Sequence, residues 1–189
     1  MTIRTIIEIP DPILKQISAP VETFDDDLKT LVADMFETMY DAPGIGLAAI
    51  QVGVPLRLLV IDLQPEDEDA EPEACTAHEG DHHTHRPHKL EPRVFINPVL
   101  SEPSDELNIY NEGCLSVPEI YAEVERPARI HARWQDLDGT WHEETLDGFL
   151  ATVLQHEMDH LEGIVFIDRI SRLKRQMALK KLEKWRKVA

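Results

Sequence analysis

Cysteine is scarce: the 189 residues contain only Cys75 and Cys114. Two thiols build no disulfide framework, so a reduced, cytoplasmic protein is expected. Long hydrophobic runs are missing. No stretch approaches the roughly 18 apolar residues that span a bilayer, so no membrane partner is expected. The opening Met1-Thr2-Ile3-Arg4 has no apolar core followed by a small-residue cleavage site, so no secretory leader is read. Positive charge is also short. Against 36 Asp and Glu stand 19 Lys and Arg, and the net charge of −17 argues against wholesale nucleic-acid binding, DNA included.

The shortage is uneven. From Asp168 to Ala189, nine Lys and Arg face two acids, a local +7 that leaves −24 for everything before it. An apolar content of 42% over this length fits one domain, residues 1–189, with a true core, and a monomer is expected.

Residues 2–9 read as a short strand. Asp11-Pro12 reads as a helix cap with proline at the first helical position. From Asp26 to Tyr40, Leu28, Leu31, Val32, Met35, Phe36, Met39 and Tyr40 recur at helical spacing, with Asp25, Asp26 and Asp27 at the positive end of the helix. Core packing accounts for that stripe. Leu56 to Leu63 is apolar enough for a buried strand. Residues 64–91 then turn acidic and histidine-rich, with His78, His82, His83, His85 and His88, and are read as a long surface loop insertion. The sharper alternative is a second metal site using these histidines and Cys75, but such clusters hold metals loosely without being built for them. Strands are expected at 93–97, ended by Pro98, and at 121–126, 128–136 and 140–146, with an Asp138-Gly139 hairpin turn. Ser171 caps a final basic helix over 171–187, with Leu173, Met177, Leu182 and Trp185 expected against the body. This order is not alternating β-α-β. It gives an α+β fold with mainly antiparallel sheets packed around one helix.

That helix carries Gln155-His156-Glu157-Met158-Asp159-His160-Leu161-Glu162-Gly163. His156 and His160, four apart, leave one helical face and close on one metal ion. Glu157 sits about 100° round the helix, placed to take a proton from a metal-activated water without binding the metal. Alone, H-E-x-x-H also arises by chance. The apolar face of Phe149, Leu150, Val153, Leu154 and Leu161, and a stop at Gly163, favour the metal reading. Upstream, Gly44-Ile45-Gly46 lacks the third glycine of a dinucleotide site. By itself Cys114 reads as a small buried residue, and Gln51 as an exposed or turn-bonded amide.

Three segments together resemble the peptide deformylase family: Gly44-Ile45-Gly46-Leu47-Ala48-Ala49-Ile50-Gln51, Glu112-Gly113-Cys114-Leu115-Ser116, and Gln155 to Leu161. The resemblance spans nearly the whole chain and is closest to bacterial members. The 64–91 insertion is its main departure. It implies hydrolytic removal of the formyl group from N-formylmethionine on nascent polypeptides, and it supplies a third metal ligand, Cys114. A thiolate with two imidazoles suits Fe(II), Zn(II), Co(II) or Ni(II), and the resemblance favours Fe(II). It also implies Glu157 as proton carrier, with the Gln51 amide and the Leu115 backbone N–H stabilising the oxyanion. Gly44, Ile45 and Gly46 would line the substrate cleft. Ile45 and Val153 would wall the methionine side chain, Val153 by its position one turn before Glu157. Ribosome contact through the basic C-terminal helix is implied as well. The rivals are a zinc peptidase, which H-E-x-x-H alone would suggest, and a non-enzymatic metal buffer acting through the histidine-rich loop.

Overall fold

The structure, a computed structural model, describes residues 2–66, 73–74, 84–85 and 88–187. After a 3-10 turn at Pro12–Lys15 come α1 (Asp26–Asp41), β1 (Gly46–Ala48), a 3-10 turn at Ala49–Val52, and β2 (Leu58–Ile61). Two short strands, β3 (Glu73–Ala74) and β4 (Thr84–His85), pair with each other. Next are β5 (Arg93–Ser101), β6 (Leu107–Cys114), β7 (Val117–Pro127), β8 (Arg129–Gln135) and β9 (Trp141–Asp147). Last are α2 (Gly148–Leu161), a 3-10 turn at Phe166–Asp168, and α3 (Arg172–Arg186). Cys75, His78, His82 and His83 lie outside the described residues, so the second metal reading falls there too.

The α+β expectation holds. Five strands form a sheet in the order β1-β2-β5-β8-β9, β6 and β7 form a separate hairpin, and every ladder among the described residues is antiparallel. β2 explains the layering. Its four residues are all buried, and side chains alternate across a strand. Leu58 and Val60 pack with α1 residues Leu31, Val32, Met35 and Met39. Leu59 and Ile61 pack on the other face with Phe95, Val153, Leu154 and Leu161. The sheet therefore lies between α1 and α2. A third cluster joins the β6–β7 hairpin, through Val117, Ile120 and Val124, to Leu14, Phe166 and Leu182. α2 is buried on nearly all sides, as a helix running through a core must be.

Four expectations are corrected. Residues 2–9 are extended but join no sheet. Their donors go instead to α1 side chains (Thr2 N–H to Asp34, Arg4 N–H to Thr38) and to two separate carbonyls, those of Gln51 and Ser116. β5 does not end at Pro98. A register shift between Ile96 and Val99, with Asn97 at φ 51°, absorbs the proline's missing donor, and the strand runs on to Ser101. β6 was not foreseen, because its residues alternate polar with exposed apolar groups, Leu107 and Ile109 among them. Finally, α3 docks through Ala178, Leu179 and Leu182. Leu173 and Met177 lie on the far side of the helix, roughly 150° or more round from the centre of that face, and are 68% and 63% exposed, and Trp185 stays at the rim.

Asp34 anchors the N-terminal run. Its carboxylate accepts from Thr2 N–H at 2.7 Å and from Arg4 at 3.0 and 3.2 Å. The Thr2 bond first, with Arg4 adding to it, holds this carboxyl below its usual 3.8. A depressed folded-state pKa gives stability that is present above the unfolded value and lost as pH falls through the folded one. Asp34→Ala should therefore lower Tm by a few degrees at pH 7 and by much less at pH 3. Thermal unfolding at both pH values checks this, and equal losses would mean that the charge is not the source.

Candidate active site

Two elements bring three candidate ligand atoms together. α2 supplies His156 and His160 one turn apart, and the end of β6 supplies Cys114. One donor atom from each of Cys114, His156 and His160 lies within 4.8 Å of the others. The Cys114 sulfur is 3.2 Å from His160 Nε2. His160 is fully buried and its Nδ1 has no hydrogen-bond partner among the described residues.

The two imidazoles have opposite electrostatics. Burial, reinforced by the charge of His156, pushes the His160 pKa well below its ordinary value, so it stays neutral and keeps a lone pair for a metal. Burial pulls on His156 in the same sense, but its bonds to Cys114 and Glu112 outweigh that and raise it well above 6.5. Nδ1 of His156 donates to Glu112 Oε2 at 2.8 Å, which fixes the ring and turns Nε2 toward the sulfur. One sulfur and two nitrogens, converging and mostly buried, fit a divalent transition ion.

Glu157 is 4% exposed, and its Oε2 has no partner among the described residues. Burial pushes its carboxyl up to about 7. The carboxylate reaches over Gly46, where an added Cβ would overlap Oε1, so glycine is required for the approach. Gln51 is buried at 1% exposure. Its Oε1 accepts from Ala48 N–H at 2.8 Å, so its NH₂ must face Ser116 Oγ at 3.1 Å and Cys114 Sγ at 3.6 Å.

These groups open onto a cleft of about 570 Å³. Its lining includes Gly44, Ile45, Gly46, Gln51, Cys114, Leu115, Val153, His156 and Glu157. His160 alone among the sequence-derived site residues lies behind the lining, as a ligand buried from the cleft would. At the mouth are Tyr110 and Phe149, their rings 5.3 Å apart, and Tyr121.

A buried charge network behind the ligands was missed in the sequence. Arg126 is 4% exposed, forks onto both oxygens of Glu112 at 2.6 and 2.9 Å, and reaches Asp159 at 2.9 Å. Asp159 also accepts from Arg169. Burial opposes the charge on Glu112, but His156 and Arg126 outweigh it and hold the carboxyl down to about 2. A signal did exist. Ile120, Ala122, Val124 and Arg126 share one face of β7, and an arginine ending an apolar face requires a carboxylate.

Glu112→Gln removes the charge that orients His156 and pairs Arg126. Metal affinity should fall roughly tenfold or more, read by equilibrium dialysis with Zn(II). Unchanged affinity would show that His156 does not depend on Glu112.

Residues 3–176 match the family model described as polypeptide deformylase. A peptide deformylase of Novosphingobium aromaticivorans is 75% identical over 189 residues, covering both chains completely. One of Erythrobacter litoralis is 64% identical over 194 residues, again with full coverage of both. Among solved structures, a peptide deformylase from Legionella pneumophila superposes with a TM-score of 0.82 at 42% identity, over 99% of this chain and 97% of that one. The Ehrlichia chaffeensis enzyme in complex with actinonin gives 0.80 at 38%, over 97% and 98%.

Proposed function

The chain belongs to the peptide deformylase family, and from that membership we propose how its residues divide the work. The enzyme is a metal-dependent hydrolase that removes the formyl group from the N-terminal methionine of nascent polypeptides, releasing formate. The metal ligands in this reading are Cys114, His156 and His160. A divalent ion held there supplies Lewis acidity, making a water at the site acidic near neutral pH. Fe(II) is the ion proposed in the cell, with Zn(II), Ni(II) or Co(II) able to replace it.

The observation that carries the reading is the buried, unpartnered Glu157 carboxylate above the Cys–His–His cluster. With a pKa near 7 it takes a proton from the attacking water and later gives it to the departing amine nitrogen. The water oxygen bonds to the formyl carbon, the C–N bond breaks, and formate leaves with a free amino terminus. Gln51 Nε2 and the Leu115 backbone N–H donate to the formyl oxygen as charge builds there. One such donor is typically worth about 3 kcal/mol. β1 is an edge strand of its sheet, so an extended peptide can lie along the wall formed by Gly44, Ile45 and Gly46. Ile45 and Val153 wall the methionine side chain.

Glu157→Gln keeps the ligands and removes the base. It should retain metal yet lose formate release from a formyl-Met peptide by at least about 100-fold. Near-normal turnover in the metal-loaded variant would end the assignment.

The remaining proposals concern setting. Residues 1–189 act as one domain, monomeric and cytoplasmic, and α3 contacts the ribosome. No helix among the described residues is long and apolar enough to cross a membrane. Ribosome contact is supported by the sign reversal along the chain, since an acidic body would be repelled by RNA while the exposed lysines of α3 would not. Lys181 is already used, donating to the Glu119 carbonyl at 2.9 Å, and Arg186 bonds Glu8. Replacing Lys180, Lys184 and Lys187 with Gln therefore spares the helix anchor. Co-sedimentation with ribosomes at low salt should fall, with a shallower salt dependence, while activity on a free formyl-Met peptide holds. Unchanged sedimentation would leave α3 a structural element.

A further inference from the structure

The wall Gly44-Ile45-Gly46 hangs from three hydrogen bonds whose partners, Met39, Asp62 and Gln64, all lie outside the matched motifs, and one of them is a side chain. Gly44 N–H donates to Met39 O at the end of α1, at 2.8 Å. Asp62 N–H donates to Ile45 O at 2.9 Å. The third is a side chain: Gln64 Nε2 donates to Gly44 O at 3.0 Å. The β1–β2 ladder ends at Gly46 opposite Ile61. Asp62 adds one backbone bond beyond it, and the Gln64 amide supplies the next from its side chain. Gly44 thus keeps a partner where the strand pairing has run out.

Gln64 is itself held on both sides. Its backbone takes a left-handed φ of 49°. Its N–H donates to Asp62 Oδ1 at 3.0 Å, and its carbonyl accepts from His88 Nδ1 at 2.6 Å. Asp62 is fully buried and binds both roots of the acidic insertion: Oδ1 also accepts from Glu91 N–H at 3.1 Å, while Oδ2 accepts from Tyr40 OH at 2.7 Å. Lys89 N–H to Pro65 O and a Glu66–His88 bridge close the roots on each other. The roots of the insertion and the cleft wall therefore share one anchor.

We propose that Gln64 is a positioning residue for substrate binding, clamping the Gly44 carbonyl so that the cleft wall is set by the roots of the acidic insertion. The proposal rests on the reading of this cleft as the peptide site. The wall touches the peptide away from the formyl group, so its contacts are the same in ground and transition states. Losing them raises KM and leaves kcat in place. Gly46, which Glu157 overlies, is held by the sheet ladder instead, so the base stays where it is.

The test is steady-state kinetics on a formyl-Met peptide with the metal-loaded, full-length enzyme. Gln64→Gly deletes the donor at a left-handed position that glycine adopts without strain. Gln64→Glu keeps the length and removes the donor. Both should raise KM roughly three- to tenfold, the range of one neutral hydrogen bond, with kcat within about twofold of the parent. Val153→Phe, on the opposite wall, should raise KM by filling the cleft. If Val153→Phe leaves KM unchanged, the cleft assignment fails. If it raises KM while both Gln64 variants do not, only the clamp fails. A Gln64 variant that loses kcat and Tm together, with KM held, also overturns the clamp, because the residue would then support the fold rather than the cleft.

Discussion

The site depends on Arg126. A guanidinium at 4% exposure is costly unless its charge is met, and here it is met by carboxylates from two other elements, Glu112 of β6 and Asp159 of α2. These bonds tie the hairpin to the helix. Glu112 is two residues before Cys114 and touches His156, and Asp159 is next to His160. All three ligands are thus within two residues of the network or in contact with it. Two arginines, Arg126 and Arg169, face two acids, so the network is close to neutral. The local field at Cys114, His156 and His160 is left to Glu157, the sulfur and any ion these residues would hold.

Glu157 is the counterpart, a buried carboxylate oxygen with no partner. Leaving such a group unsatisfied costs about 1–3 kcal/mol, and the fold tolerates it because its neighbours leave no alternative. Gly46 offers no side chain to bond, and the surrounding α2 residues Val153 and Leu154 are apolar. The same isolation that makes the carboxylate costly lifts its pKa toward neutrality, which is the condition for accepting and returning a proton at ordinary pH. Stability lost at this one group is converted into usable basicity.

His156, His160 and Glu157 as candidates, and α1 as an element, were legible in the sequence because each follows from local chemistry: a four-residue spacing, a capped amphipathic stripe, a glycine stop. Cys114 was not legible that way. Nothing local distinguishes it from a buried apolar residue, and only the resemblance brought it to His156 and His160. Arg126 was hidden for the same reason, since its partners are 14 and 33 residues away and belong to different elements. The misread elements share a cause. Residues 2–9 have the pattern of a strand, yet their partners are scattered over α1, Gln51 and Ser116, and Asn97-Pro98 looks like an end but forms a bulge. Local pattern predicts backbone conformation, while pairing is settled by tertiary contacts that no local window contains.

The structure separates what must stay fixed from what may vary. Behind the ligands, forked ion pairs inside a close-packed core define positions sharply, because moving any one charge would leave another unpaired. In front, the peptide wall is a turn between α1 and β1 held by single hydrogen bonds from Met39, Asp62 and Gln64. Such bonds are each worth only about 1 kcal/mol, so this wall adjusts where the ligand frame cannot. The insertion enters the molecule at that softer edge, rooted on Asp62 and distant from the Arg126 network. On the proposed clamp, sequence change in the insertion reaches the fit of the peptide through Gln64, while the geometry of Cys114, His156, His160 and Glu157 is held by other contacts.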